Sequence, residues 1–183
     1  YLGFTWSSSY SLASGDYFVF QQTIEGFNVA DLGWGTANAK NVTLSFWIRS
    51  SVTGTLSGSF KNLATNANRS YPFNYTISSA NTWEHKTITI AGDTSGTWAT
   101  NNTAGLCVCF DLGTGTTYSG TAGQWAGQNY LAATGSANIV ATSGATLQIT
   151  GVQLEIGSVA TPFEHRSYAD ELARCHRYFQ AHP

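Results

Sequence analysis

Apolar and polar residues alternate most regularly over residues 42–49. Val42, Leu44, Phe46 and Ile48 fall on one side of that run, and Thr43, Ser45, Trp47 and Arg49 on the other. Successive side chains of a strand point to opposite faces, so the run predicts a strand with one face against a core. Shorter alternating runs at residues 55–62, 71–78, 84–90, 105–112 and 137–142 predict five more strands, separated by Gly, Asn, Ser and Thr turns. Residues 16–23 read as a strand apolar enough to be covered on both faces. The last run, residues 146–156, is the longest. There Leu147 and Ile149 alternate with Gln148 and Thr150, and then Val152, Leu154 and Ile156 alternate with Gln153 and Glu155. The apolar phase slips at Gly151. A residue without a side chain at a phase change predicts a β-bulge, which bends one continuous strand and keeps both apolar sets inward. Gly157 ends the strand, and Pro162 cannot donate to a ladder.

Eight short strands with no helical crossover between them imply antiparallel pairing in two stacked sheets. The predicted fold is therefore all-β, an antiparallel β-sandwich or jelly roll. Leu106, Val108, Phe110 and Leu112 belong to its core, which puts Cys107 and Cys109 on the opposite face of their strand. Residues 1–15, rich in Ser and aromatics and without a clear period, read as a lead-in segment that suits a neighbouring subunit's groove as well as this domain, which spans 16–164. Residues 25–35 form a loop broken by glycines, and 113–135 the longest irregular stretch. Residues 165–183 carry one short C-terminal helix and a link to another module. Ser167 can cap that helix, with Asp170 three residues on, and Tyr168, Leu172, Cys175 and Phe179 recur at spacings of four, three and four. Glu171 near its start and Arg174 and Arg177 near its end suit the helix dipole. Its apolar stripe needs the sheet's outer face, a second copy of the helix or a following module to cover it.

Composition changes this picture in two ways. Lys, Arg, Asp and Glu make up only 10% of the 183 residues, against about 25% in ordinary soluble domains. The surface must be solvated by hydroxyls and amides instead. Six of the charges lie in residues 164–177, so the composition shifts near Phe163. The net charge of −2 supplies no basic field for a phosphate backbone, so no nucleic acid is expected as partner. No run approaches the roughly 18–20 apolar residues of a membrane span, and no signal-peptide pattern opens the chain, so no membrane insertion is expected. The chain begins at Tyr1 and contains no methionine, which reads as a piece of a longer polypeptide. Of the three cysteines, Cys107 and Cys109 stand two apart on one strand face and cannot readily bridge each other. Packed or half-exposed thiols in a chain folded in a reducing cytoplasm fit best. A zinc site from Cys107, Cys109, Cys175 and His176 lacks the spacer of a zinc knuckle. His85, His165, His176 and His182 show no metal-ligand spacing either, so no cofactor and no metal is expected.

The closing strand also carries a resemblance. Gln153-Leu154-Glu155, Gly157 and Ala160-Thr161-Pro162-Phe163-Glu164 resemble the last strand of the carbohydrate-binding-module-like jelly-roll domains of tailed-phage tail fibres and other virion surface proteins. Residues 43–51 resemble that family's central strand. Asn81-Thr82-Trp83-Glu84, followed by residues 87–98, resembles its next signature. Residues 171–179 are similar to the helix by which such chains leave the jelly roll. Together these cover roughly residues 16–180 in the expected order. The resemblance implies a virion surface element made in the bacterial host's cytoplasm, often a homotrimer, contacting other virion proteins and attaching to a host. The matching motifs are largely scaffold and identify the fold better than a ligand.

An enzyme needs a constellation, and none assembles. Glycoside hydrolysis requires two carboxylates facing one cleft; the candidates Glu25, Asp31, Glu84, Asp93, Asp111 and Glu155 all have adequate structural readings, and no Gly-x-Ser-x-Gly elbow, phosphate loop or His-Glu-x-x-His is present. Sugar binding asks for less: a ring face for stacking and nearby amides or carboxylates for the hydroxyls. Trp34, flanked by glycines on a loop, and Tyr118, Trp125, Gln128, Asn129 and Tyr130 in the long 113–135 stretch are the candidate glycan-binding residues. Trp47, Trp83 and Trp98 are assigned to core and turn packing. The function expected is non-enzymatic attachment to a host cell-surface glycan, as a tail-fibre-type component on the virion surface. A purely structural head-fibre, decoration or tail-adaptor domain is the second reading, and a polysaccharide depolymerase the third.

Overall fold

The computed structural model describes residues 1–64 and 68–179, so His182 lies outside the described residues. Among the described residues ten strands form: β1 Leu2–Thr5, β2 Tyr17–Glu25, β3 Val42–Ser50, β4 Gly54–Asn62, β5 Ser70–Ile77, β6 Glu84–Ile90, β7 Ala104–Thr114, β8 Ser119–Gly120, β9 Ala132–Ala133 and β10 Thr146–Ile156. The first sheet has the order β1-β10-β3-β6 and the second β2-β7-β4-β5, with antiparallel pairing throughout. With the two-residue parallel pair β8 and β9 set aside, this is the jelly-roll order, a sandwich of two four-stranded sheets. One short helix, α1 Tyr168–Cys175, follows.

The alternation over residues 42–49 does what it predicts. Val42, Leu44, Phe46 and Ile48 are fully buried and meet Leu56, Phe60, Phe73, Leu106 and Phe110 of the second sheet. Phe46 sits edge-on to Phe110 at 5.0 Å and to Tyr75 at 5.2 Å between ring centres. Each such side chain contributes about 2 kcal/mol by leaving water, before the entropy of ordering it is set against that.

Strand membership differs from the sequence reading at two places. Residues 137–142 do not form a strand: Ile139–Ala141 is a turn of 3-10 helix, in which the adjacent residues Ile139 and Val140 are both buried, as a two-residue period does not allow. Its place is taken by Leu2–Thr5, inside the stretch that carried no clear period. This strand pairs with β10 from Leu2↔Ile149 to Thr5↔Thr146. Phe4 and the following Trp6 point inward and meet Phe20 and Phe18 of β2 at 5.2 and 5.0 Å.

β10 carries the bulge its phase slip predicts. The register to β3 shifts between Thr150 and Gln153, and Gly151 adopts φ +58°, a left-handed conformation that strains any residue with a Cβ. The second apolar set is not carried fully inward, however. Leu147 and Ile149 are buried, Leu154 is half-buried against Leu44, and Val152 and Ile156 are exposed. β1 stops opposite Ile149, so no strand covers the second half of β10 along that edge.

The two sheets differ in what covers their outer faces. Over the second sheet the 113–137 excursion folds back as a lid. Ser70 ties it down, donating to the Gln128 carbonyl at 2.7 Å and accepting from the Tyr130 amide at 3.0 Å. Asp111 ties its far end. Its carboxylate, buried at 2% exposure, accepts from the Ser57 and Ser136 hydroxyls at 3.1 and 3.0 Å, and from the Gly113 amide and Thr114 hydroxyl at 2.9 and 2.7 Å. Cys107 and Cys109 lie beneath, on the face opposite the core as predicted, packed with Leu131, Val19, Leu63 and Tyr118. Both thiols are buried, 3.6 Å apart.

Burial raises the Asp111 pKa, and the hydrogen bonds from Thr114, Ser136, Ser57 and Gly113 only partly offset it. The folded state therefore holds this proton more tightly than the unfolded chain does. The resulting stability is present below the ordinary value of 3.8 and is lost as pH rises through the raised folded value. Denaturant unfolding at a series of pH values is expected to show this downward step in the wild-type chain relative to Asp111→Asn. Asp111→Ala leaves four donors without their acceptor and is expected to cost about 3 kcal/mol at neutral pH.

Candidate functional site

The six residues read from the sequence as glycan contacts separate into two groups. Trp34 is buried at 6% exposure, its indole N–H donated to the Lys40 carbonyl at 2.7 Å. It sits edge-on to Trp98 at 4.7 Å and to Trp125 at 5.3 Å. Trp125 is half-buried in the same cluster, against Tyr71 at 5.4 Å, with its N–H on the Ala91 carbonyl and the Arg69 guanidinium over its ring. The other four, in the same lid as Trp125, lie outside this cluster. Tyr118 is half-buried over the thiols and edge-on to Tyr17 at 5.3 Å. The Tyr130 ring lies on Gly120, where a Cβ would come within 2.3 Å of it. Gln128 and Asn129 are exposed between these anchors.

A group of rings with open faces lies on the outer side of the first sheet, and two of them are ones the sequence pattern assigns to packing. That assignment holds for Trp98, buried at 9% exposure, but Trp47 is 44% exposed and Trp83 37% exposed. The signal was present in the alternation itself, because Trp47 shares the polar face of β3 with Thr43, Ser45 and Arg49. Register assembles the rest. Trp47 lies between Thr150 of β10 and His85 of β6, with its ring 5.2 Å from the imidazole. Arg49 lies beside Gln148, its Nη1 donating to the Gln148 side-chain oxygen at 2.8 Å and its Nε to the Asn81 carbonyl at 2.7 Å. Tyr1 and Trp83, from opposite edges of the sheet, meet edge-on at 6.0 Å. Phe163, 43% exposed, approaches Gly151 beside Trp47.

Phe163 is held there by the residues that give the closing strand its signature. The chain after Gly157 turns back across the sheet, its Gly157 and Ser158 carbonyls accepting from Thr43 and Thr89 at 2.8 and 3.3 Å. Glu155 then accepts from the Thr161 hydroxyl and, at 3.0 Å, from its amide, while Gln153 accepts from the Glu164 amide at 2.8 Å. The Thr161 hydroxyl and the Gln153 side chain hold the Glu155 carboxyl below the usual range. This strap and β10 enclose a groove of about 810 Å³ whose walls include Val152, Leu154, Phe163, His165 and Glu171. The strap leads into α1, capped by Ser167, which accepts from the Asp170 amide at 3.2 Å as the sequence predicts.

The carboxylates weighed for hydrolysis are mostly engaged in the fold. Glu25 takes both oxygens to Arg177, which holds its pKa down. Glu84 accepts from the Lys86 ammonium and from the Ser79 and Ser78 amides, which act in the same direction. Asp93 is buried against Arg69 and the Ser95 amide. Asp111 and Glu155 have the roles given above, and Asp31 lies exposed within the Ala30–Leu32 turn. Among the described residues no group of three or more His, Cys, Asp or Glu side chains could hold a metal ion, and Cys175 is exposed on α1, apart from the buried thiols.

No family model and no curated protein matches the chain. Solved structures do match, among them one described as "CBM4 structure and function". It aligns over 79% of this chain and 79% of its own, at 14% identity and a TM-score of 0.39. A likeness of that degree carries no argument about function, and the jelly roll rests on the strand order and register described above.

The two tryptophan environments are separable by stability. Trp125→Ala removes a ring from a cluster of four aromatics and is expected to cost about 3 kcal/mol in denaturant unfolding. Trp47→Ala, with its ring half in water, is expected to cost less than about 1 kcal/mol.

Proposed function

We propose that this domain is a non-catalytic attachment module on the surface of a tailed-phage particle, of the tail-fibre type, and that it binds host cell-surface glycan on the outer side of its first sheet. The observation that supports this most directly is the exposure of Trp47 in the middle of a rigid sheet, beside His85, Thr150, Arg49 and Gln148. A ring face with hydroxyl, amide and guanidinium groups around it suits a pyranose, whose C–H face stacks while its hydroxyls are hydrogen-bonded. The exposed amides of Gln128 and Asn129 are on the lid of the other sheet and would serve a second, separate contact. The placement on a phage particle rests on the closing-strand, central-strand and helix motifs of the sequence. A homotrimer would join weak single sites through avidity.

Assembly within the virion is the second reading, and α1 favours it. Tyr168, Leu172 and Phe179 leave an apolar stripe exposed, although Arg177 and Tyr178 anchor the end of this segment to Glu25. In that reading the stripe docks on another virion protein and the rings of the first sheet contact no sugar.

Binding of the purified chain to an array of bacterial envelope polysaccharides separates the two. Attachment predicts a ligand whose affinity falls at least about tenfold in Trp47→Ala, roughly 1.4 kcal/mol, with Gln128→Ala and Asn129→Ala much less affected. Unaltered binding in Trp47→Ala would remove the site. Absence of any glycan ligand, together with tight binding to another virion protein, would favour assembly. Shortening of a polysaccharide by the chain would overturn the non-catalytic reading.

A further inference from the structure

Arg69, Arg166 and Arg177 are each paired with a carboxylate: Asp93 for the first, Glu164 and Glu171 for the second, Glu25 for the third. Arg49 is treated differently. Its two hydrogen bonds within the fold, to the Asn81 carbonyl and the Gln148 side-chain oxygen, go to neutral acceptors, and no ion pair forms there among the described residues. The Asn81 carbonyl is itself fixed, since Asn81 takes a left-handed φ of +58° and its amide donates to the Ser50 carbonyl at 2.7 Å. The guanidinium is thus half-buried, held in one orientation and still in possession of more than half of its five N–H donors.

Its surroundings on the same face offer no negative charge. By register the neighbours are Gly3, Gln148, Thr150, Trp47 and His85, with Trp83 just before β6, and no carboxylate is among them. Glu84 belongs to the inward-facing set of β6, and Glu155 is engaged with Thr161 farther along β10. In a chain that is only 10% charged and carries a net −2, an oriented cation left without a counter-ion beside an open indole is an unspent recognition group. Trp47 and Arg49 are two residues apart on one strand face, about 7 Å. A pyranose ring stacked on the indole can reach across that distance with its own exocyclic acid and one hydrogen bond.

We propose that this face selects an acidic saccharide, a sugar bearing a carboxylate such as a uronic acid, with its ring on Trp47 and its carboxylate in the fork of Arg49. The proposal rests on the glycan-attachment reading and narrows it to a ligand class. The planar guanidinium presents parallel N–H groups to a carboxylate, which a neutral hydroxymethyl group cannot accept in the same way.

The test uses a panel of uronic-acid polysaccharides, some of them also sulfated, each alongside the same polymer with its carboxyls reduced to hydroxymethyl groups, with affinities measured on the purified chain. At least one acidic member is expected to bind tenfold or more tightly than its reduced partner, and to weaken as salt rises while the reduced partner does not. Arg49→Gln should bring the acidic polymer down to the level of its reduced partner in the same variant, its loss on the acidic polymer being about tenfold or more larger than any loss on the reduced one. Arg49→Lys keeps the charge without the fork and should retain part of the preference, so it carries the test if the Gln variant fails to fold. Trp47→Ala should weaken both polymers. Equal binding of every pair, or a preference that survives Arg49→Gln, overturns the carboxylate proposal and leaves glycan attachment standing. A preference only for sulfated members would reassign the fork to sulfate and overturn it as well. Failure of every polymer, acidic or reduced, sinks the attachment reading and this proposal with it.

Discussion

The architecture depends on one constraint: the central strands of the second sheet, β4 and β7, are buried on both faces. The sheet's inner face supplies Leu56, Phe60, Phe73, Leu106 and Phe110 to the core. Its outer face presents Ser57, Ser59, Cys107, Cys109 and Asp111, which would otherwise need water. A buried polar row is tolerable only when its members find partners. The lid over residues 113–137 supplies part of them, with Ser136 on Asp111, the Gln128 and Tyr130 backbones on Ser70, and Leu131 over the thiols, while Ser57 bonds to Asp111 and the Ser59 hydroxyl has no hydrogen-bond partner among the described residues. The longest irregular segment of the chain is thereby committed to closing the fold, and most of its aromatic content is spent on anchoring. The outer side of the first sheet has no such lid.

That side is shaped by its own closing segment. Thr43 and Ser45 are buried although they lie on the outward face of β3, because the strap after Gly157 crosses above them. Two side chains of β10, Gln153 and Glu155, hold the strap against the sheet, and the bulge at Gly151 leaves room for Phe163 to come down beside Trp47. Half of the sheet is therefore covered by backbone and half is left as a shallow floor of rings, amides and one guanidinium. The polar residues that make the closing strand recognisable act as clasps. They determine where the open floor begins.

The fold was largely legible in the sequence because a two-residue period is a strong signal wherever one face is buried, and the 42–49 run and the phase slip at Gly151 both had that character. Leu2–Thr5 escaped because four residues are too few to show a period, and its pairing with β10 is a long-range event that local pattern does not encode. Residues 137–142 misled because Ile139 and Val140 are buried side by side in a tight turn, which satisfies hydrophobicity without alternation. The site was less legible for a related reason. Glycine neighbours suggested a protruding Trp34, yet its ring is folded into a cluster with Trp98 and Trp125. Trp47 stood on the polar side of the clearest strand in the chain, and its period carried more information than the prior that tryptophan is core.

The sealed thiols have a consequence for chemical endurance. Contact with Cys107 and burial both push the Cys109 thiol up, so its reactive anion is scarce, and Leu131 and Tyr118 stand between the pair and the bulk solvent. An oxidant reaches the pair only in the moments when the covering segment lifts. The speed with which a thiol reagent consumes them therefore records how often that lifting occurs, and the domain in aerated water would age at the pace of that opening.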